Sequence, residues 1–143
     1  MKLVISSKIL DELQELARLS APNEICGLLF GQNRTISEFL ASANVAADTE
    51  KYFEIDPSTL IAAERRMRGG GIPIMGYYHS HPSGGIEPSR TDALSAAPDG
   101  RLWLIINGQS AAAWCACSDG EFYGRFDRIT LDCIRTNGQT AVE

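Results

Sequence analysis

Histidine occurs twice in this chain, and both copies stand in one short stretch, His79-Ser80-His81-Pro82. They follow an apolar run from Ile72 to Tyr78 whose composition predicts a buried strand. Alternate side chains of a strand share a face, so His79 and His81 point the same way and their imidazoles can chelate one ion. Pro82 stops the strand, Ser83-Gly84-Gly85 reads as a turn, and Pro88-Ser89 opens a helix with Asp92 in its first turn. Two imidazoles and one carboxylate form a three-ligand zinc set that leaves a fourth position for water, the pattern of a catalytic rather than a structural zinc site.

Each piece also has an ordinary reading. Two histidines on one strand face are commonly polar residues at a sheet edge. Ser89-x-x-Asp92 is what a capping box looks like, with Ser89 at the N-cap and a carboxylate three residues on, where it suits the helix dipole. The metal reading rests on coincidence: the two histidines, a chain-breaking proline, a Gly-Gly turn and a capped helix with its aspartate all fall between residues 79 and 92.

The elements that must position this set follow from apolar spacing. Lys2 to Ile5 predicts a short strand. Ser6 or Ser7 then caps a helix in which Ile9, Leu10, Leu13, Leu16 and Ala17 recur at helical spacing, and Pro22-Asn23 ends it. The run from Glu24 to Gly31 is bounded by glycine and too short for a typical helix, so it predicts a central strand with Glu24 at its threshold. Thr35 to Leu40 and Lys51 to Ile55 are further strand candidates. Asp56-Pro57 reads as an N-cap with proline at the first helical position, opening a helix that Gly69-Gly70-Gly71 terminates. After the His79 strand, the Asp92 helix is expected to end near Pro98-Asp99-Gly100, followed by strands at Leu102 to Ile106, Ala111 to Cys117 and Phe122 to Phe126. Ile129 to Ile134 fits strand or helix, and Thr136 to Glu143 reads as a frayed tail, leaving a domain over 1–135. The expected class is α/β, a single domain with a mixed β-sheet flanked by helices.

Composition narrows the function classes. With 143 residues, 44% hydrophobic and 22% charged, the chain has the makeup of one soluble domain with a substantial core. A net charge of −5, with no basic cluster interleaved with aromatics, argues against a nucleic-acid partner. The four cysteines, Cys26, Cys115, Cys117 and Cys133, lack C-x-x-C spacing and are expected to be small buried hydrophobes in a reducing compartment. The N-terminal apolar run is too short for a signal peptide, so the expectation is a cytoplasmic protein with no membrane span.

The ordered set of residues resembles the JAMM (MPN-plus) zinc metalloproteases, whose signature is an upstream glutamate, His-x-His-Pro, then Ser-x-x-Asp with ten residues between the second histidine and the aspartate. Here Glu24 lies in Glu-Ile-Cys-Gly-Leu-Leu-Phe-Gly, and His79, His81, Ser89 and Asp92 keep that order and spacing. The resemblance spans Ser20 to Ile106 and implies a fold like that of cytidine deaminases. It further implies one Zn2+ per chain on His79, His81 and Asp92, with Glu24 as general base and Ser89 as oxyanion donor. The reaction implied is hydrolysis of the amide bond after the C-terminal glycine of a ubiquitin-like protein. With only Ala93 to Gly100 between Asp92 and the next strand, the chain is most similar to the short bacterial members. Those members act on small sulfur-carrier proteins that end in Gly-Gly, and the Gly-rich Ser83 to Glu87 segment is the flexible candidate for gripping such a tail. A non-catalytic MPN-type scaffold is the alternative, although such members have usually lost motif residues and this chain has lost none. A zinc nucleobase deaminase would need H-x-E and P-C-x-x-C, and neither occurs.

Overall fold

A computed structural model describes residues 1–135. The tail expected over 136–143 lies outside the described residues.

Ten elements follow one another: β1 (Lys2–Ser6), α1 (Ser7–Ser20), β2 (Cys26–Gln32), β3 (Thr35–Ser42), α2 (Pro57–Arg68), β4 (Ile74–Ser80), α3 (Arg90–Ser95), β5 (Leu102–Ile106), β6 (Ala111–Gly120) and β7 (Gly124–Ile134). The strands pair in the order β1-β3-β2-β4-β5-β6-β7 and close on themselves through β7 and β1. The pairs β1/β3, β1/β7 and β4/β5 are parallel and the rest antiparallel, so the sheet is mixed as expected. Each helix begins where a polar side chain satisfies otherwise orphaned N–H groups: Ser6 accepts from Ile9, Asp56 from Ser58, and Ser89 from Asp92.

Strand alternation divides the core. On β5, every residue of which is buried, Leu102, Leu104 and Ile106 join Leu13 and Ala17 of α1, whereas Trp103 and Ile105 face a second cluster with Trp114 and Phe126. β4 obeys the same parity: Tyr78 packs into the α1 side, so Tyr77 and His79 face the other. α2 covers a third cluster through Ala63, against Leu28, Phe30 and Ile74. The candidate metal ligand therefore starts from a strand held on both edges and packed on both faces.

Gly76 is a point of close approach between β4 and β5. It pairs with Leu102, and a Cβ at this position would overlap the Leu102 backbone carbonyl. Gly76→Ala must push apart two central strands, and the expected loss is at least about 1–3 kcal/mol in urea unfolding. Unchanged stability would show that the β4/β5 contact can relax.

Four sequence expectations need correction. Lys51 to Ile55 is not a strand; only Ile55 makes a bridge, with Asn44, because the Asn44 side chain takes the backbone groups of Tyr52 and Glu54 that a ladder would use. The expected strand at Phe122 to Phe126 and the ambiguous segment at Ile129 to Ile134 are largely one strand, β7. Parallel pairing of Lys2 to Ser6 with Thr130 to Ile134 settles the ambiguity against a helix. Helix α3 stops at Ser95, several residues early, because Ala96 turns to extended backbone and is buried against the second cluster. The cysteine expectation holds only for Cys26, since Cys115 and Cys117 are half-buried and Cys133 is exposed. Among the described residues no helix is long and apolar enough to cross a membrane.

Candidate metal centre

β4 delivers His79, fully buried, and His81 is the first residue past its end. The N-terminal turn of α3 brings Asp92 beneath them. The two Nε2 atoms lie 3.1 Å apart, and Asp92 Oδ2 is 3.1 Å from His79 Nε2 and 3.2 Å from His81 Nε2. These three separations are close to the edge of a tetrahedron, roughly 3.3–3.4 Å, built on ligands about 2.0–2.1 Å from zinc. Three acceptor-capable atoms facing one point is the arrangement one cation satisfies, and the donor set fits zinc.

Asp92 also completes the capping box. Its Oδ2 accepts the Ser89 N–H at 2.9 Å while its own N–H donates to Ser89 Oγ at 3.0 Å. The capping reading of Ser89-x-x-Asp92 is therefore realised, and it is compatible with the metal reading: the cap fixes the carboxylate that the histidines face. The Ser89 hydroxyl serves this cap as an acceptor, so its proton stays available for another partner.

Electrostatics separate the two imidazoles. Burial drives the His79 pKa down, against the pull of Asp92, so the ring is held neutral and able to ligate. Burial also opposes the charge on His81, but hydrogen bonds to Asp92 and to the Gly85 carbonyl outweigh it and raise the pKa. For Asp92 burial alone would raise the pKa; the two histidines and the Ser89 N–H override it and hold the carboxyl well below the usual carboxylate range.

Glu24 reaches this site by strand register. β2 and β4 are antiparallel with Cys26 opposite His79, and Ser80 N–H continues the pairing onto the Ile25 carbonyl at 3.1 Å. One step further places Glu24 across from His81, on the face that His79 and Cys26 share. Its backbone is fixed at both ends: N–H to Thr49 carbonyl at 2.7 Å, and carbonyl to Asn44 Nδ2 at 3.0 Å. Glu24 is buried, and desolvation raises its pKa to about 7, with His81 lowering and Asp92 raising it to smaller degrees. A carboxyl poised near neutrality beside a candidate metal site suits proton exchange.

The structure thus brings together all five residues singled out in the sequence, and adds others that spacing did not disclose. Phe53 stacks on His79, with centroids 4.2 Å apart and planes 17° apart, and Trp103 meets the same ring edge-on at 5.6 Å. Asn44 uses its whole amide: Nδ2 donates to the carbonyls of Glu24 and Tyr52, and Oδ1 accepts from Ala46 and Glu54. It thereby ties Glu24 to the segment that presents Phe53. The strand-like composition around Tyr52 and Phe53 concealed this role.

A mixed α/β sheet that converges two histidines and an aspartate on one point, with a buried carboxyl across the strand pair, defines a domain built around a candidate metal site. Residues 6–117 match the family described as prokaryotic homologs of the JAB domain. The chain belongs to that family, the short prokaryotic form of the JAMM/MPN group. It is 34% identical over 101 residues to a desampylase of Haloferax volcanii, covering 69% of this chain and 73% of that protein. It is 28% identical over 120 residues to a probable TtuB-protein conjugate cleaving protease of Thermus thermophilus, covering 77% and 80%. A solution structure of a Desulfitobacterium hafniense protein superimposes with a TM-score of 0.78 at 26% identity, covering 95% of this chain and 94% of the other.

Proposed function

We propose that this chain is a zinc-dependent isopeptidase or peptidase that hydrolyses the amide bond after the C-terminal Gly-Gly of a small ubiquitin-like or sulfur-carrier protein. The observation that carries the proposal is the convergence of His79, His81 and Asp92 within 3.2 Å, with Glu24 in register opposite His81. The names of two relatives, one of them a protease of protein conjugates, support the choice of substrate class.

His79, His81 and Asp92 would hold one zinc per chain. Zinc bound there would supply Lewis acidity, lowering the pKa of a water toward ~7. Glu24 accepts the proton from that water and returns it to the leaving amine; its buried position keeps bulk water from competing for the role. Ser89 donates its free hydroxyl proton to the carbonyl oxygen as negative charge develops, a contribution of about 2.7–4 kcal/mol for donors of this kind. His79 and Asp92, both buried, keep the centre rigid while this occurs.

A tail ending in Gly-Gly suits a confined approach to this centre, since glycine has no side chain to meet the walls. A ubiquitin-like carrier with an extension after its terminal Gly-Gly, incubated with zinc-loaded protein, is expected to be cut at that junction, as read by mass spectrometry. Replacing the final glycine by leucine is expected to stop cleavage. Equal cleavage of both versions would rule out confinement as the basis of specificity. Absence of cleavage for every Gly-Gly fusion would shift weight to a non-catalytic scaffold.

A further inference from the structure

The two histidines are oriented by different means, and the difference singles out residues remote from the centre in sequence. His81 Nδ1 lies 2.9 Å from the Gly85 carbonyl oxygen. A carbonyl only accepts, so the proton of neutral His81 sits on Nδ1 and the lone pair of Nε2 is presented to the centre. Nothing at Gly85 itself fixes that carbonyl, because the residue has no side chain and its turn is exposed. Its neighbours on both sides are held instead. Asn107 Nδ2 donates to the Gly84 carbonyl at 3.2 Å, and Trp114 Nε1 donates to the Ile86 carbonyl at 3.0 Å.

Both donors come from the β5–β6 hairpin and are themselves fixed. Trp114 is fully buried and pairs across the sheet with Trp103. Asn107 Oδ1 accepts from the N–H groups of Gln109 and Ser110 at 2.9 and 2.7 Å, which aims Nδ2 at the turn. Three successive carbonyls, 84 to 86, are thus each taken by a side chain. His79 has no counterpart: its Nδ1 is buried without a hydrogen-bond partner, and its ring is held by Phe53 and Trp103.

We infer that Asn107 and Trp114 are positioning residues for the metal centre, clamping the 84–86 turn so that the Gly85 carbonyl holds His81 in its ligating tautomer and orientation. The turn that looked flexible from its glycines is a tied outer support of one ligand. This inference rests on the zinc reading of the site. Outer partners of a metal-ligating histidine commonly change metal affinity by about 10–100-fold, and that is the effect expected here.

The test is zinc affinity, measured by chelator competition, for the wild-type chain, Asn107→Asp and Trp114→Phe. Asn107→Asp keeps the oxygen that caps the hairpin turn and replaces the donor to Gly84 by an acceptor; its added charge would favour a cation, so weaker binding reports the lost hold on Gly84. Trp114→Phe removes Nε1–H but also leaves space in the core, so each variant is measured where circular dichroism shows it folded. Each is expected to bind zinc about 10–100-fold more weakly, with the His81 Nδ1 proton of the zinc-loaded protein exchanging faster by NMR. If both folded variants bind as tightly as wild type with that proton unchanged, the relay is wrong. A wild-type chain that binds no zinc overturns the metal reading, and the relay with it.

Discussion

Glu24→Gln is expected to keep zinc and fold while amide hydrolysis falls by about 10²–10⁴-fold, the usual contribution of a positioned general base. Glutamine matches the shape of glutamate, so the backbone bonds to Thr49 and Asn44 that fix the residue are retained. What is lost is the ability to take a proton. The same substitution has a second expected result, of opposite sign, in the metal-free protein. Burial raises the Glu24 pKa from 4.5 to about 7 in the fold. The folded state therefore binds this proton more tightly than the unfolded chain, and stability falls as pH rises from 4.5 to 7, then levels off. Above pH 7 the buried charge weighs against the fold, a cost that the neutral amide does not carry. Metal-free Glu24→Gln is thus expected to unfold at higher urea than wild type at pH 8 and to converge with it near pH 4. Near-wild-type turnover would remove Glu24 as the base; unchanged stability at pH 8 would show that its side chain is better solvated than its burial implies.

The site was legible in the sequence to different depths. His79, His81 and Asp92 are local in sequence, and one strand end, one turn and one helix cap suffice to bring them together, so spacing alone disclosed them. Glu24 is different: its link to the centre is the β2/β4 register, with Cys26 opposite His79, and no local pattern encodes a pairing across some fifty residues. Only the resemblance to a family motif pointed to it. Phe53 was hidden by its own neighbours, because Tyr52, Phe53 and Ile55 have strand composition, while Asn44 captures the backbone of that segment and leaves it irregular. The glycines of the 84–86 turn suggested looseness because the donors that tie it, Asn107 and Trp114, lie beyond the next strand. β7 was divided for a related reason: polar Arg125, Asp127 and Arg128 interrupt its apolar pattern, yet its pairing with both β6 and β1 keeps the strand continuous.

His79→Ala and His81→Ala are expected to lose most of the bound zinc, since three protein ligands are the usual minimum for a catalytic centre and either change leaves two. The variants differ in what else they disturb. His79 is fully buried between Phe53 and Trp103, so alanine there opens a space in packed structure, partly offset by removal of an Nδ1 that has no hydrogen-bond partner. His81 is the cleaner probe, because its side chain is 14% exposed and its main hydrogen bond outside the ligand cluster is to the Gly85 carbonyl in an exposed turn. The measurement is elemental analysis after zinc loading and desalting, together with thermal unfolding at increasing zinc. A ligand that binds only the folded state raises the unfolding temperature, and each hundredfold excess over Kd is worth about 2.7 kcal/mol. Wild type is expected to rise with zinc and His81→Ala to stay flat at the same concentrations. Undiminished zinc in a folded His81→Ala protein, or an equal thermal rise for both, would show that the ion sits elsewhere and that the pairing of His79 and His81 at the end of β4 serves the fold rather than a metal.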